Sequence, residues 1–261
     1  MTEKNSFTNS VVISLSGGLD STSLLLHFLA KKYKVYGLAF DYGQKHKIEL
    51  ERLQKNVDYL KSKNYSIDVK HIDISDMKKL LYSSLTTDEL EVPDGSYELD
   101  NMVSTVVPNR NMIFFSLIAS YALSLSKEQN TEIEIALGAH SGDHALYPDC
   151  TPEFYDKAFS ALEEGNWGSE NISLNMPYLT KNKSAIVEDA INSCNELNLD
   201  FNQVMSNTIS SYEPDSNGRS SGTTSTDIER ILAFHNNGIK DPIEYTSSWE
   251  SVLDHALKFL K

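Results

Sequence analysis

In the amino-terminal part of the chain, segments with the apolar pattern of a strand alternate with segments with the apolar pattern of a helix. Residues 11–15 are apolar, largely β-branched and followed by glycine, which is typical of a short buried strand. Residues 21–33 have the apolar spacing of a helix. A second strand is predicted at 34–40, a second helix with a charged face at 45–63, and a third strand at 66–73. Strands alternating with helices indicate βαβ units, a parallel sheet and right-handed crossovers.

The pattern is less regular after this region. A short helix is predicted near residue 76, and it is followed by a loop rich in Asp, Glu, Pro and Gly at 86–100. Loops of this length in a compact domain are usually lids or other functional segments. Residues 110–127 predict a buried apolar helix, and 133–139 a strand that leads into a loop at 140–152. Further helices are predicted at 153–165, 183–197, 228–238 and 247–261.

These elements predict the fold class. We expect an α/β protein with an open parallel sheet, helices on both faces and a small helical C-terminal part. The boundary is expected near residue 200, which gives an α/β domain at 1–200 and a helical segment at 201–261. No internal repeat or low-complexity tract interrupts this organisation.

The composition limits the cellular compartments and the binding partners that can be expected. The formal net charge of −14 offers no basic footprint, so we expect no direct nucleic-acid partner. Two cysteines, Cys150 and Cys194, cannot form a disulfide framework, which favours a reducing compartment. The first ten residues are polar, and no stretch is long and apolar enough to cross a membrane. We therefore expect a cytoplasmic protein, in the host cytoplasm if the source is viral.

The strongest chemical signal is SGGLDST at residues 16–22, between the first strand and the first helix. Glycines let backbone N–H groups surround a phosphate, and a helix N-terminus adds partial positive charge. Asp20 or Ser21 is available to cap the helix, and Asp20 beside a phosphate is consistent with a Mg²⁺ ion. No Walker A or G-x-G-x-x-G motif is present. The predicted nucleotide-binding residues are Ser16, Gly17, Gly18, Asp20, Ser21 and Thr22.

The SGGLDS motif resembles the pyrophosphatase loop (PP-loop) of enzymes that use ATP to adenylate a carbonyl or carboxyl oxygen. Together with DYGQKHKIEL at 41–50, TVVPNRNM at 105–112 and GDHALYPDCTPEF at 142–154, it resembles the 7-cyano-7-deazaguanine synthase family over most of residues 10–245. The resemblance implies the fold of PP-loop, adenine nucleotide alpha hydrolase-like proteins. It also implies ATP, 7-carboxy-7-deazaguanine and ammonia as substrates, a nitrile formed through the amide, and a homodimer.

The matching stretches follow predicted strands, where open α/β sheets bind ligands. Asp143 and Asp149 are candidates to read the amino and N–H groups of a guanine-like base, and Tyr147 to stack on its ring. Arg110 and Lys183 are candidates for phosphate or for the 7-carboxylate. The predicted catalytic residues are Asp20, Arg110 and Lys183, and the predicted substrate-binding residues are Tyr42, Gln44, Arg110, Asp143, Tyr147 and Asp149.

Simpler structural roles stay open for several of these residues. Arg110 pairs with a surface acid in one alternative, Tyr147 packs in the core, and Asp149 caps the helix near 153. His140 and His144 have H-x-x-x-H spacing, but the glycine between them favours a loop over a helical metal site.

The resemblance also implies a four-cysteine zinc site near the C-terminus, and here the chain departs from the family. The four ligand positions are occupied by Ser211, Ser221, Thr224 and Asp227, although the surrounding residues persist. Hydroxyl groups are poor zinc ligands at neutral pH, so no zinc is expected. A second departure is Thr151, where the family commonly has Arg.

These departures leave the reaction open. Because the metal ligands and the arginine are lost together, we favour decarboxylation of 7-carboxy-7-deazaguanine to 7-deazaguanine, in a pathway that modifies DNA bases as some phages do. Such a reaction needs a bound, desolvated acid and a proton donor at the ring carbon. The alternative is ATP-dependent nitrile synthesis, or a variant that stops at the amide, and the intact loop favours it. A non-catalytic family member is a further alternative.

Overall fold

The structure is a computed structural model that describes residues 7, 9–44, 48–83, 106–143, 147–211 and 215–260. Its centre is a five-stranded, fully parallel sheet in the order β3-β2-β1-β4-β5. The strands are β1 (Ser10–Ser14), β2 (Lys34–Asp41), β3 (Ile67–Asp73), β4 (Ile133–Ala136) and β5 (Ile172–Leu174). The helices are α1 (Leu19–Ala30), α2 (Ile48–Ser62), α3 (Arg110–Gln129), α4 (Pro152–Gly165), α5 (Lys183–Glu196), α6 (Phe201–Ser206), α7 (Ser225–Asn236) and α8 (Trp249–Leu257).

Helices cover both faces of the sheet, as the alternation of strands and helices along the chain predicts. Val11 and Ile13 of β1 belong to a core with α1, α2, α5, α6 and α7, whereas Val12 between them belongs to a core with α3 and α4. Successive side chains of a strand point to opposite faces, so a central strand needs apolar residues at every position. The predicted fold class is confirmed.

Several element boundaries differ from the prediction. The strand expected at 133–139 ends at Ala136, because the chain then leaves the ladder and the Leu137 N–H is donated to Met176 Sδ. The three-residue strand β5 and the six-residue helix α6 carry too short a pattern to be recognised in the sequence. Helix α7 begins at Ser225, because Thr224 caps it by accepting from the Asp227 N–H.

The C-terminal helices pack on the α5 side of the sheet. Helix α7 contacts α5 and α8, and a small apolar cluster of Ile228, Ile231, Val252 and Ala256 joins α7 to α8. The Ile209 N–H is donated to the Gly17 carbonyl, which brings the segment before α7 against the loop after β1. The domain boundary near residue 200 stays a prediction. Among the described residues, no helix has the length and apolar character that a membrane span requires.

Candidate active site

A cavity of about 280 Å³ lies where the strand order reverses, at the carboxyl ends of β1 and β4. This crevice is the usual ligand site of an open α/β sheet, because the loops after β1 and β4 diverge there. Residues of the loops after β1, β2 and β4 and the first turns of α1, α3 and α5 line it. Among the predicted residues, the lining includes Ser16, Gly18, Asp20, Ser21, Tyr42, Gln44, Arg110, Asp143, Tyr147 and Lys183.

The loop after β1 leaves the N-terminus of α1 open to an anion. Neither Asp20 nor Ser21 caps the helix, which corrects the expectation; the N-cap is Gly18, and it has no side-chain cap hydrogen bond. The first N–H groups of a helix lack intrahelical partners. Ser16 Oγ accepts from the Gly18 N–H at 3.1 Å and lies 3.0 Å from Ser21 Oγ, so both hydroxyls are held beside these N–H groups.

Three predicted residues do not line the cavity. Gly17 has a φ of 84°, and a Cβ there would collide with the Glu49 carbonyl, so this glycine permits close contact with α2. Thr22 is only 1% exposed, since its side chain enters the core beneath α1. Asp149 is half-buried, and its carbonyl accepts from Asn111 Nδ2 at 3.3 Å. The ligand contacts expected of Thr22 and Asp149 stay predictions.

Asp20 is placed to bind a cation in addition to Lys183. Its Oδ2 accepts from Lys183 Nζ at 2.7 Å, whereas its buried Oδ1 has no hydrogen-bond partner among the described residues. Burial opposes ionisation of this carboxyl, but Lys183 and His140 outweigh it and lower its pKa. A buried, ionised oxygen without a partner is a fitting ligand for Mg²⁺ beside a phosphate.

His140 belongs to the site, although the sequence pattern pointed to it only as a possible metal ligand. It is 1% exposed, and its Nδ1 accepts the Gly142 N–H at 3.1 Å. Because Nδ1 accepts, Nε2 is the ring nitrogen that can donate, and it lies 3.4 Å from Asp143 Oδ2 and 3.9 Å from Asp20 Oδ2. His140 thus links the two carboxylates, and no metal role is needed. His144 and the loop at 86–100 lie outside the described residues.

Lys183 lies between two carboxylates at the first turn of α5. Its Nζ is 2.7 Å from Asp20 Oδ2 and 3.4 Å from Glu229 Oε2 of α7. Burial alone would lower the pKa of Lys183, but Asp20 and Glu229 raise it above its usual value. Lys183 is therefore a permanent positive charge at the edge of the loop after β1.

The opposite wall of the cavity is aromatic and carries a second cation. Phe40 and Phe114 stack with centroids 4.4 Å apart, and Tyr42 meets Phe114 edge-on at 5.6 Å. Arg110 begins α3 beside them. Such rings offer flat apolar surface to a planar base. Gln44 shapes this wall, because its Oε1 accepts the Tyr42 N–H at 2.9 Å and its Nε2 donates to the Phe40 carbonyl.

Glu49 of α2 also lines the cavity, and the sequence reasoning did not single it out although it lies within 41–50. Burial raises the pKa of its carboxyl to about 7, with Arg110 opposing the shift. The pKa of Asp20 is thus lowered and the pKa of Glu49 raised within one cavity. Carboxyls separated in this way can take different acid–base roles.

The four positions at which the resemblance implies zinc ligands do not fit zinc. Asp227 Oδ2 already accepts the Gly222 N–H at 3.1 Å and lies 3.3 Å from Ser221 Oγ. Thr224 Oγ1 is used to cap α7, and Ser211 lines the cavity. Burial raises the pKa of Asp227, which further weakens it as a ligand. In the described part of the chain no group of three or more His, Cys, Asp or Glu could hold a metal ion.

Thr151 has a structural role at the second departure from the family. Its Oγ1 accepts the Phe154 N–H at 3.3 Å and donates to the Pro148 carbonyl at 2.9 Å. It therefore caps α4, and the alternative in which Asp149 caps this helix is wrong.

Comparison with known proteins places the chain in a family. The sequence model described as "Queuosine biosynthesis protein QueC" matches residues 10–238. The chain belongs to the QueC family. It is 41% identical over 237 residues to "7-cyano-7-deazaguanine synthase 1" of Colwellia psychrerythraea, covering 90% of this chain and 98% of that protein. It is also 40% identical over 240 residues to the 7-cyano-7-deazaguanine synthase of Pseudoalteromonas translucida, covering 91% and 99%.

These relatives correct the expected reaction. QueC-family relatives of nearly full length carry the name of the nitrile-forming synthase, so the favoured decarboxylase interpretation is wrong. The alternative of ATP-dependent synthesis is the better supported interpretation. Nothing in these names supports a role in DNA modification. The chain belongs to a family of enzymes of 7-deazaguanine metabolism. The resemblance to the 7-cyano-7-deazaguanine synthase family is confirmed.

Proposed function

We propose that this protein is an ATP-dependent 7-cyano-7-deazaguanine synthase, which converts 7-carboxy-7-deazaguanine and ammonia, through the amide, into the nitrile. The observation that carries the proposal is the intact loop after β1 in a QueC-family chain. Its open helix N-terminus, Asp20 and Lys183 are the parts that an adenylating enzyme needs. A decarboxylase would not need the open helix N-terminus, which suits a phosphate.

ATP and the 7-deazapurine substrate would bind on different sides of the cavity. The N-terminus of α1, with the hydroxyls of Ser16 and Ser21, would bind the pyrophosphate part of ATP. Asp20 Oδ1 would hold Mg²⁺, which neutralises charge on the leaving pyrophosphate. The aromatic wall of Phe40 and Phe114 would hold the flat 7-deazapurine.

Arg110, which lines the cavity beside the aromatic wall, would hold the substrate's 7-carboxylate. Asp143 and Tyr147 would contact the base from the loop after β4. Each of the two carboxyl oxygens that the substrate loses leaves on AMP. One nitrile therefore consumes two ATP and releases two pyrophosphates.

The proposal is tested by incubating purified protein with 7-carboxy-7-deazaguanine and ammonium, with and without MgATP, and following products by mass spectrometry and pyrophosphate release. We expect nitrile only with MgATP, with two pyrophosphates for each nitrile. Accumulation of the amide with one pyrophosphate would identify the shorter reaction. Loss of CO₂ without ATP would contradict the proposal, and absence of any product or pyrophosphate would identify a non-catalytic family member.

A further inference from the structure

Helix α7 brings a carboxylate, Glu229, to the rim of the nucleotide site. Its Oε2 lies 3.4 Å from Lys183 Nζ, and its side chain is about one quarter exposed, at 24%. Its Oε1 is next to Gly142, where an added Cβ would lie only 2.5 Å away. Glu229 therefore fills the gap between the loop after β4 and the first turn of α5.

Lys183 is shared between two carboxylates that have different tasks. Asp20 holds it at 2.7 Å and Glu229 at 3.4 Å. A Mg²⁺ ion held by Asp20 Oδ1 would draw charge from this carboxylate and weaken the attraction of Oδ2 for Lys183. Glu229 would then be the second carboxylate that holds the ammonium group. A lysine has a long flexible side chain, and a second anchor reduces the entropy lost when it engages a phosphate.

Helix α7, which carries Glu229, is anchored by hydrogen bonds next to Glu229 and at its C-terminal end. The adjacent Arg230 is fully buried, and its Nε donates to Asp241 Oδ2 at 2.6 Å. At the other end of α7, Asn236 Nδ2 donates to Ser184 Oγ at 3.0 Å and Asn237 Nδ2 to the Ser184 carbonyl at 2.9 Å. Helix α7 is thus tied directly to the turn of α5 that carries Lys183.

We propose that Glu229 is a positioning residue, which holds the Lys183 ammonium in place for the phosphates of the nucleotide and so couples the C-terminal segment to the ATP site. The inference rests on the proposed use of MgATP, but not on the identity of the final product.

The sign of one measurement separates this role from a bystander charge. If Glu229 only contributed its negative charge near the triphosphate, its removal would tighten MgATP binding, because a repulsive charge would be lost. If it positions Lys183, its removal weakens binding, because the ammonium group loses its second anchor. The two effects oppose each other, so the direction of the change is informative.

The test is a double-mutant cycle on the affinity for Mg²⁺ with α,β-methylene-ATP, measured by isothermal titration calorimetry. The variants are Glu229→Met, Glu229→Gln, Lys183→Met and the double variant Glu229→Met with Lys183→Met. Glu188→Gln is the matched control, because Glu188 is an exposed acid on α5 and its loss changes the net charge as Glu229→Gln does. Thermal denaturation of each variant checks that the fold is retained.

We expect Glu229→Met to raise the Kd about tenfold, because the ammonium group loses the second carboxylate of its ion pairs. Glu229→Gln should have a smaller effect, because its amide oxygen keeps a partial negative charge and can accept from the ammonium group. The double variant should bind no more weakly than Lys183→Met alone. Equal or tighter binding by Glu229→Gln and Glu229→Met, additive effects, or no binding by the wild type would each overturn the inference.

The product assay separates this inference from the proposed function. Nitrile formation together with additive binding effects would retain the function and remove the role of Glu229. Coupled binding effects without nitrile would retain the role of Glu229 and remove the proposed product.

Discussion

The buried ion pair between Arg230 and Asp241 anchors the C-terminal segment, and Asp241→Asn tests how much it contributes. Arg230 is 0% exposed and Asp241 is 1% exposed. The pair is bidentate, with Nε to Oδ2 at 2.6 Å and Nη2 to Oδ1 at 3.0 Å. Asp241 Oδ2 also accepts from the Tyr245 hydroxyl at 2.7 Å, so the same carboxylate ties α7 to the segment that precedes α8.

The expected loss of stability follows from leaving a charge buried. In the variant, the guanidinium keeps its bonds to Thr208 Oγ1 at 2.8 Å and to the Met205 carbonyl at 3.3 Å, but its countercharge is gone. Removing one partner of a buried pair costs about 3–5 kcal/mol, and asparagine keeps one acceptor, so we expect about 3 kcal/mol. For a chain of this size that lowers the Tm by about 6–12 °C.

Urea unfolding followed by circular dichroism measures the free energy, and calorimetry measures the Tm. The control is Asp215→Asn, which removes a more exposed ion pair with Arg219, while its amide oxygen can keep the bonds that Asp215 Oδ1 accepts from the Asn217 and Arg219 N–H groups, so both quantities should change much less. A free energy of unfolding for Asp241→Asn within about 1 kcal/mol of the wild type would refute the reasoning. It would mean that water or a rearranged side chain compensates the guanidinium.

Three further predictions concern the metal, the cavity carboxyl and the loop. Purified protein should contain no stoichiometric zinc by elemental analysis, and a chelator should leave its Tm unchanged; bound zinc in equal amount would contradict this. Because the folded protein holds the Glu49 proton up to a pKa of about 7, its stability falls as pH rises from about 4.5 to about 7. Glu49→Gln should therefore be more stable than the wild type by about 1–3 kcal/mol near pH 8 and equal to it near pH 4, and a pH-independent difference in urea unfolding would count against this cause. Gly17→Ala should lower stability by about 1–3 kcal/mol and weaken MgATP binding, since φ at Gly17 is 84° and the Glu49 carbonyl occupies the place of a Cβ; an unchanged Tm and Kd would disprove it.

Much of the fold can be predicted from the sequence, because local periodicity reports how each segment is buried. Strand β1 is apolar at consecutive positions, which is required of a central parallel strand covered on both faces. The SGGLDST loop predicts an anion site from local geometry alone, and it lies at the cavity as expected. Short elements such as β5 escape prediction because three residues carry no periodicity.

The site itself was decided by tertiary structure. Asp20 and Lys183 are 163 positions apart, and they meet because the crossovers bring the start of α5 next to the end of β1 and the start of α1. Thr22 matches the loop motif, yet the helical rotation of α1 turns its side chain into the core. Nothing near Glu229 in the sequence points to Lys183, since that contact depends on how α7 docks on α5.

By itself, the sequence determined the α/β class, the phosphate loop, the family resemblance and the loss of the zinc ligands, because each depends on residue types within a short window. It did not determine which carboxylates pair, which are raised or lowered in pKa, or what takes the place of the zinc. Those properties depend on distances between remote segments and on burial. At this site, both the distances and the burial are determined by how α7 packs against α5 and the loop after β1.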